Sequence, residues 1–201
     1  TYNTELHRWN IRLNKDINID NFVINDDKEI KWSSRLKECL LANNQAKYID
    51  SNVRNSLYRP FFKMYLYFDP ILTHRRGQFP HIFPIPGAEK ENMVICVSGV
   101  GSSKPFHALI TNIIPCLDLL EKTQCFPFYT YNDDGTNRRE NITDWALAAF
   151  REHYRDNLIA KRDIFHYVYG ILHAPSYRET YAANLRRELP RLPFTPDFWT
   201  F

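Results

Sequence analysis

Two pairs of adjacent arginines are the side chains in this sequence best suited to hold an anion. Arg75-Arg76 and Arg138-Arg139 each lie in a predicted loop beside aromatic residues. A guanidinium group is a planar fork of N–H donors, which fits a phosphate group or the major-groove edge of guanine. Because Asp133, Asp134 and Glu140 lie close to the second pair, one arginine of each pair could instead form a structural ion pair.

The two pairs are expected to differ in role. We favour Arg75-Arg76 for base reading, and Arg138-Arg139 for contact with a DNA backbone or for ion pairs that shape the turn. Gln78 and Asn137 are polar neighbours in the same loops, and we include them in the predicted DNA-binding set. The prediction for this set is that arginine contacts to phosphates fix the register and contacts to base edges give specificity.

The segment Gly99-Val-Gly-Ser-Ser-Lys104 looks at first like a nucleotide-binding loop. It lacks the Gly-x-x-x-x-Gly-Lys-Ser/Thr spacing, however, and Pro105 follows in place of a helix. Two interpretations stay open. The segment is either a structural turn, or a turn whose Ser102, Ser103 and Lys104 contact a DNA backbone, since hydroxyls, free amides and a lysine suit phosphate oxygens.

The sequence marks no catalytic residue and no metal site. Asn132-Asp-Asp-Gly135 would place Asn141 rather than glutamate at the twelfth position of a calcium loop, so we interpret it as a turn with Gly135 at positive φ. The seven histidines are scattered. Neither an Asn/Asp-Pro-Pro-Tyr/Phe methyltransferase segment nor a glycine-rich loop for S-adenosylmethionine is present. We therefore expect no cofactor in this chain, and neither methylation nor cleavage of DNA by it alone.

The composition fits a globular chain with a mildly basic surface. Its 201 residues are 44% hydrophobic and 15% aromatic, and the net charge is +3. The pI of about 8.6 permits DNA binding without showing it, because dedicated nucleic-acid domains often exceed about pI 9. No apolar run long enough for a transmembrane helix is present. Four widely spaced cysteines are expected to be reduced structural thiols: Cys39, Cys96, Cys116 and Cys125.

Local patterns predict short helices and a strand in the first third of the chain. Ser33 or Ser34 could cap a helix that carries Leu36, Cys39 and Leu40 on one face. A second short helix is expected at Asn52–Leu57, ending near Pro60. The alternation of residues 61–68 predicts the first strand.

Further strands are expected at Met93–Ser98, Phe106–Ile114 and Phe126–Tyr131. From Thr143, which suits a helix N-cap, the period changes to that of a helix. A stronger helix is expected at Asp163–His173. After Pro175, Ser176 and Glu179 fit a capping box for a last helix.

These elements predict an α+β fold, with a central antiparallel or mixed β-sheet region followed by a helical C-terminal segment. We expect residues 1–57 to be a polar, helical lead-in that ends a preceding region, and residues 58–142 to be the β-rich recognition body. Residues 143–201 would form the helical segment. The polar start at Thr1 predicts that the chain is a fragment of a longer protein.

Several long motifs resemble the C-terminal specificity region of type ISP restriction–modification enzymes. They cover most of the chain: Asn55–Phe61, Val94–Phe106, Cys125–Tyr131, Asp134–Asn141, Asp163–His173 and Tyr181–Arg191. Residues 71–82 resemble the family pattern less well, which is where we expect target-specific contacts. The family consists of single bacterial polypeptides that join a nuclease, an ATP-driven translocase, an adenine-N6 methyltransferase and a target-recognition region.

The resemblance implies a DNA target-recognition module rather than an enzyme in its own right. Its partners would be double-stranded DNA and the methyltransferase domain of the same polypeptide, in the bacterial cytoplasm and without a membrane. S-adenosylmethionine, ATP and Mg²⁺ would act in other domains. Two alternatives stay open: a scaffold that packs on the methyltransferase or translocase with little base reading, and a hydrolase-like enzyme with an unmarked site.

Overall fold

The computed structural model describes residues 1–201 and divides the chain into two compact units. Unit 1 comprises Thr1–Arg54 and Leu66–Gly77, and unit 2 comprises Asn55–Tyr65 and Gln78–Phe201. Short helices and small sheets make up the chain, so the predicted α+β class is confirmed. The division of roles at residues 57 and 142 stays a prediction.

Unit 1 is built around a small helical core. Its helices are α1 (Tyr2–Ile11), α2 (Ile19–Phe22) and α3 (Ser34–Leu41). The predicted cap of α3 is confirmed, because the Ser33 hydroxyl accepts a hydrogen bond from the Leu36 amide at 3.2 Å. The buried side chains of this core are Tyr2, Leu6, Trp9, Val23, Trp32, Leu36, Cys39 and Leu40.

The expected helix at Asn52–Leu57 is wrong, because a strand occupies this segment. A single 3-10 turn, Asp50–Asn52, leads into β1 (Val53–Arg59), and β2 (Phe62–Tyr67) follows after a two-residue turn. In the sheet of order β2-β1-β5, β1 has a hydrogen-bonded neighbour on each side. These tertiary pairings override a weak local helix signal. The strand predicted at 61–68 is confirmed as β2.

The central sheet of unit 2 is antiparallel, with β3 in the middle. It has the order β4-β3-β6 and consists of β3 (Val94–Val97), β4 (Ala108–Thr111) and β6 (Gln124–Pro127). All four residues of β3 are buried. Cys96 lies opposite Cys125 with its Sγ atom 3.8 Å from that of Cys125, and all four cysteines are free.

The strand expected at Phe106–Ile114 divides between two sheets. Its first part is β4, whereas β5 (Ile114–Pro115) pairs in parallel with β1, so that Ser56 lies opposite Ile114. Similarly, the strand expected at Phe126–Tyr131 contributes to β6 and then to β7 (Tyr129–Thr130). β7 pairs with β8 (Arg139–Glu140) to form a small antiparallel ribbon.

Helices cover one face of the central sheet and end the chain. They are α6 (Asp144–Tyr154), α7 (Lys161–His173), α8 (Pro175–Thr180) and α9 (Ala182–Leu185), after the short helices α4 (Phe79–Ile82) and α5 (Ala88–Glu91). Their buried side chains pack with those of the sheet: Ile95, Val97, Phe128, Ile164, Phe165, Tyr167, Ile171 and Leu172. No helix has both the length and the apolarity that crossing a membrane requires.

Of the two helix caps predicted in the C-terminal segment, one is confirmed and one is wrong. The Thr143 hydroxyl accepts from the Ala146 amide at 3.1 Å, as expected. At α8, however, Ala174 takes the cap position, Pro175 takes the first helical position, and no side chain caps the helix. Proline suits that position because its fixed φ is helical and its missing N–H has no partner there anyway. Ser176 therefore lies inside α8.

Candidate nucleic-acid interface

The ribbon of β7 and β8 carries the second arginine pair on a well-anchored turn. The Asn132 amide donates to the Thr136 carbonyl at 2.9 Å, and Gly135 has a φ of 83°, as predicted. Asn137 also has a positive φ, 53°, which is uncommon for a residue with a side chain. The turn thereby holds the following arginines at the start of β8.

A buried amide fixes the start of this ribbon. The Asn92 side chain is fully buried and makes three hydrogen bonds of 2.9 Å. It donates to the carbonyls of Ile82 and Tyr129 and accepts from the Tyr129 amide. Since a buried polar group without partners is costly, this arrangement ties β7 to the C-terminal end of α4.

The structure assigns different surroundings to Arg138 and Arg139. Arg138 forms an ion pair with Glu91, and its guanidinium lies 4.7 Å from the centroid of the Tyr129 ring. The hydrogen bond to Glu91 raises the pKa of Arg138 above its usual range. Arg139 is exposed and forms no ion pair. Of the two arginines, Arg138 is therefore the one that forms a structural ion pair, which the sequence had left open. Arg139 has no ion-pair partner.

Arg162 is a further candidate that the sequence analysis missed. Its guanidinium lies 5.0 Å from the centroid of the Phe128 ring and has no carboxylate partner. It lines an open groove of about 320 Å³ together with Lys90, Thr111, Asn112 and Glu91, the carboxylate that pairs with Arg138. The adjacent Lys161, by contrast, is 15% exposed and pairs with Asp144 at 2.6 Å. The sequence did contain the basic pair Lys161-Arg162. Only the fold shows that Lys161 is in an ion pair and that Arg162 is not.

The hydrogen-bond donors of the Ser102–Lys104 turn already bind a carboxylate of the same chain. The Ser102 hydroxyl donates to Glu121 at 2.9 Å, and the Ser103 amide and hydroxyl donate to the same carboxylate. The hydrogen bond from Ser102, followed by that from the Ser103 amide, lowers the pKa of Glu121. Lys104 is exposed and unpaired. A phosphate at this turn would have to displace Glu121, so Lys104 is the better candidate of the three.

The first arginine pair lies in the last loop of unit 1. Arg75 is exposed with a φ of 53°, and the Arg76 guanidinium lies 5.5 Å from the centroid of the Phe68 ring. Neither arginine has a carboxylate partner. Asp69 begins this loop by accepting hydrogen bonds from the next two free amides at 2.8 and 3.0 Å. Gln78, the first residue of the second segment of unit 2, is exposed and precedes α4.

The predicted site residues therefore fall into three groups. Arg75 and Arg76 belong to unit 1, whereas Ser102–Lys104 and Asn137–Arg139 occupy two separate turns of unit 2. No group of three or more His, Cys, Asp or Glu side chains is arranged to hold a metal ion. The arrangement offers exposed cations on anchored turns, and its chemistry is that of anion binding.

Comparisons with known proteins agree with this chemistry. The profile of the type ISP C-terminal specificity domain matches residues 1–201. Among solved structures, the chain is similar to a protein in a DrdV–DNA complex, with 43% identity, a TM-score of 0.85, and coverage of 98% of this chain and 19% of that one. No curated protein sequence matches it.

Two further structures are type ISP restriction–modification enzymes. One is a nuclease-deletion mutant of LlaGI in complex with a DNA substrate mimic, with 30% identity and a TM-score of 0.77, covering 96% of this chain and 17% of that chain. The other is ATP-dependent LlaBIII bound to DNA, whose 24% identity and TM-score of 0.76 over 95% of this chain and 12% of that chain show the shared fold. This chain spans less than a fifth of the length of each of these proteins. The chain belongs to the family of type ISP C-terminal specificity domains.

Proposed function

We propose that this chain is a DNA target-recognition module that reads a short site in duplex DNA for the methylation and restriction activities of other domains. One observation carries the proposal: the whole chain matches the specificity-domain family, and a relative with 43% identity is in a DNA complex. The exposed, unpaired cations on anchored turns support it, because phosphate contacts position such a protein on DNA.

The proposed contacts divide between backbone and bases. Arg139, Arg162 and Lys104 would bind phosphates, because each is exposed and has no carboxylate partner. Arg75 and Arg76, with Gln78, would read base edges, since a guanidinium matches two acceptors of guanine and a glutamine amide matches adenine. Arg138 would chiefly stabilise the turn, because its guanidinium group already forms an ion pair with Glu91.

Catalysis would belong to the rest of the longer protein. In this proposal the chain has no catalytic residue, and S-adenosylmethionine, ATP and Mg²⁺ act in a methyltransferase domain and a translocase of the same polypeptide in the bacterial cytoplasm. The parent would then be a restriction endonuclease and site-specific adenine-N6 methyltransferase. A test is to incubate the purified chain with labelled S-adenosylmethionine and DNA. Transfer of label to the DNA would contradict the proposal that methylation belongs to other domains.

Selection from a pool of randomised duplexes tests the recognition itself. We expect the 201-residue chain to enrich a short common sequence, whereas a scaffold would enrich none. Binding of the enriched duplex is then followed by fluorescence anisotropy over a range of salt concentrations. Arg139→Ala and Arg162→Ala should each weaken binding to all sequences and lower the salt slope by about one, because each removes about one phosphate contact.

The base-reading variants have a different signature. Arg75→Ala or Arg76→Ala should cost about 1–3 kcal/mol at one base pair and relax the preference there. Arg187→Ala removes the same charge from an exposed position outside the candidate set, and it serves as the matched control. If all four candidate variants bind and discriminate like the parent, other residues read the target.

A further inference from the structure

The turn between β1 and β2 presents an aromatic residue in a strained conformation. The turn consists of Pro60 and Phe61, and Phe61 has a φ of 67°. Proline followed by a residue with positive φ is the pattern of a tight turn that normally takes glycine at the second position. A side chain there is strained, and such strain is concentrated at functional sites.

Packing within the chain does not account for this strain. Phe61 is 91% exposed, and its ring contacts no other aromatic ring. The adjacent side chains Phe62, Met64 and Tyr65 are also exposed, by 57%, 47% and 83%. An exposed apolar surface of this kind on a hairpin is typical of a binding surface rather than of a free turn.

The charges around the tip favour a polyanionic partner over a protein partner. From Val53 to Tyr67 the chain contains no Asp or Glu. Arg59 lies 4.4 Å from the centroid of the Tyr58 ring and donates only to the carbonyls of Tyr58 and Asp118. Lys63 is exposed and unpaired. Two cations without carboxylate partners therefore flank an exposed phenylalanine.

We propose that the Pro60-Phe61 tip is a DNA wedge, in which the Phe61 ring inserts between two base pairs while Arg59 and Lys63 contact the adjacent phosphates. Apolar side chains inserted in this way partly unstack a base step and kink the duplex. Arginine and lysine hold the backbone on either side of the opened step. The inference deepens the proposed function and rests on it, because it names a residue that deforms the target.

The wedge predicts where the deformation occurs. Unstacking is easiest at pyrimidine–purine steps, so the enriched duplex should carry such a step under the tip. Because shape and deformability then contribute to recognition, substituting that step should weaken binding even where no base edge is contacted. The effect should disappear when the ring is removed.

The test uses the full 201-residue chain and the duplex enriched in the selection above, with 2-aminopurine replacing one adenine at a time. Its emission rises when a base unstacks, and we expect a rise at one step with the parent chain. Phe61→Gly should abolish the rise. Glycine accepts the positive φ, so this variant should keep a midpoint of urea unfolding at least as high as the parent's. Leu158→Ala removes another exposed apolar side chain and should leave the signal unchanged.

The outcomes separate this inference from the proposed function. A parent chain that binds no duplex overturns both. A parent that binds, without raising the emission at any step, overturns the wedge alone, and so does Phe61→Gly with an undiminished rise. If the hairpin instead docks on another protein domain, Phe61→Gly leaves both DNA affinity and emission as they were. Loss of the rise in Phe61→Gly, with the fold intact and the control unaffected, supports the wedge.

Discussion

Replacing Asn92 by leucine tests how the candidate surface of unit 2 is held in place. The substitution keeps the size of the side chain but removes all three of its hydrogen bonds. The carbonyls of Ile82 and Tyr129 and the Tyr129 amide would then lose these partners. A buried group left without a partner costs about 1–3 kcal/mol, so we expect the free energy of unfolding of unit 2 to fall by about 3–5 kcal/mol.

That loss is large for a compact unit, since whole domains are stable by only about 5–15 kcal/mol. The loss of stability should appear as faster amide hydrogen exchange in β3 and β6. This exchange can be measured by mass spectrometry across a urea series. Trp9 and Trp32 are buried in unit 1, whereas Trp145 and Trp199 of unit 2 are exposed, so the change in tryptophan fluorescence on unfolding reports chiefly on unit 1. We expect unit 1 to unfold at the same urea concentration in the variant and the parent.

Asn157→Ala provides the matched control for this substitution. Asn157 is exposed and its side chain makes no hydrogen bond in the structure, so its loss should change the stability by less than about 0.5 kcal/mol. If Asn92→Leu costs no more than this control, the three hydrogen bonds do not hold the ribbon and the reasoning is wrong. If it costs as much as expected, DNA affinity should also fall, because Arg139 loses its anchored strand.

Two further predictions concern a helix cap and a carboxylate. Thr143→Ala should lower the free energy of unfolding by about 1 kcal/mol, as loss of a capping hydroxyl does, whereas Ser176→Ala should change it by less than half as much in the same urea melts. Equal costs would contradict the assigned caps. The folded-state pKa of Glu121 is lowered from 4.5, so its hydrogen bonds stabilise the fold above about pH 4.5 and are lost as the pH falls through the lowered pKa. The Ser103 amide resonance should therefore shift in that acid range in the parent and not in Glu121→Gln.

Features set by neighbouring residues could be predicted from the sequence. Ser33 and Thr143 each bond to an amide three residues further on, so their caps follow from local spacing alone. The buried strand β3 follows from its unbroken apolar run. The cap predicted at Ser176 is wrong even though its pattern is also local. Pro175 takes the first position of the same helix, which suits proline better.

Features set by distant residues could not be predicted in this way. Arg138 and Glu91 are 47 positions apart, so the sequence offered nearer carboxylates as partners. The strand β1 pairs with the neighbouring β2 and also with β5, which lies almost sixty residues later in the chain and could not be foreseen as its partner. The availability of Arg162 likewise depends on which acids reach Lys161 beside it. The sequence therefore predicts which types of side chain bind, and the fold shows which of them have no carboxylate partner.

The aromatic content of the chain bears on how a mildly basic protein could hold DNA. Five guanidinium groups lie over aromatic rings without an ion pair to a carboxylate: Arg12 over Trp9, Arg59 over Tyr58, Arg76 over Phe68, Arg162 over Phe128 and Arg178 over Phe106. A ring restrains a guanidinium group without consuming its hydrogen-bond donors, whereas a carboxylate such as Glu91 consumes them at Arg138. Restrained donors lose less conformational entropy when they meet a phosphate or a guanine. A net charge of only +3 therefore understates the number of guanidinium groups that could meet DNA, because it does not distinguish cations without a carboxylate partner from those already in ion pairs.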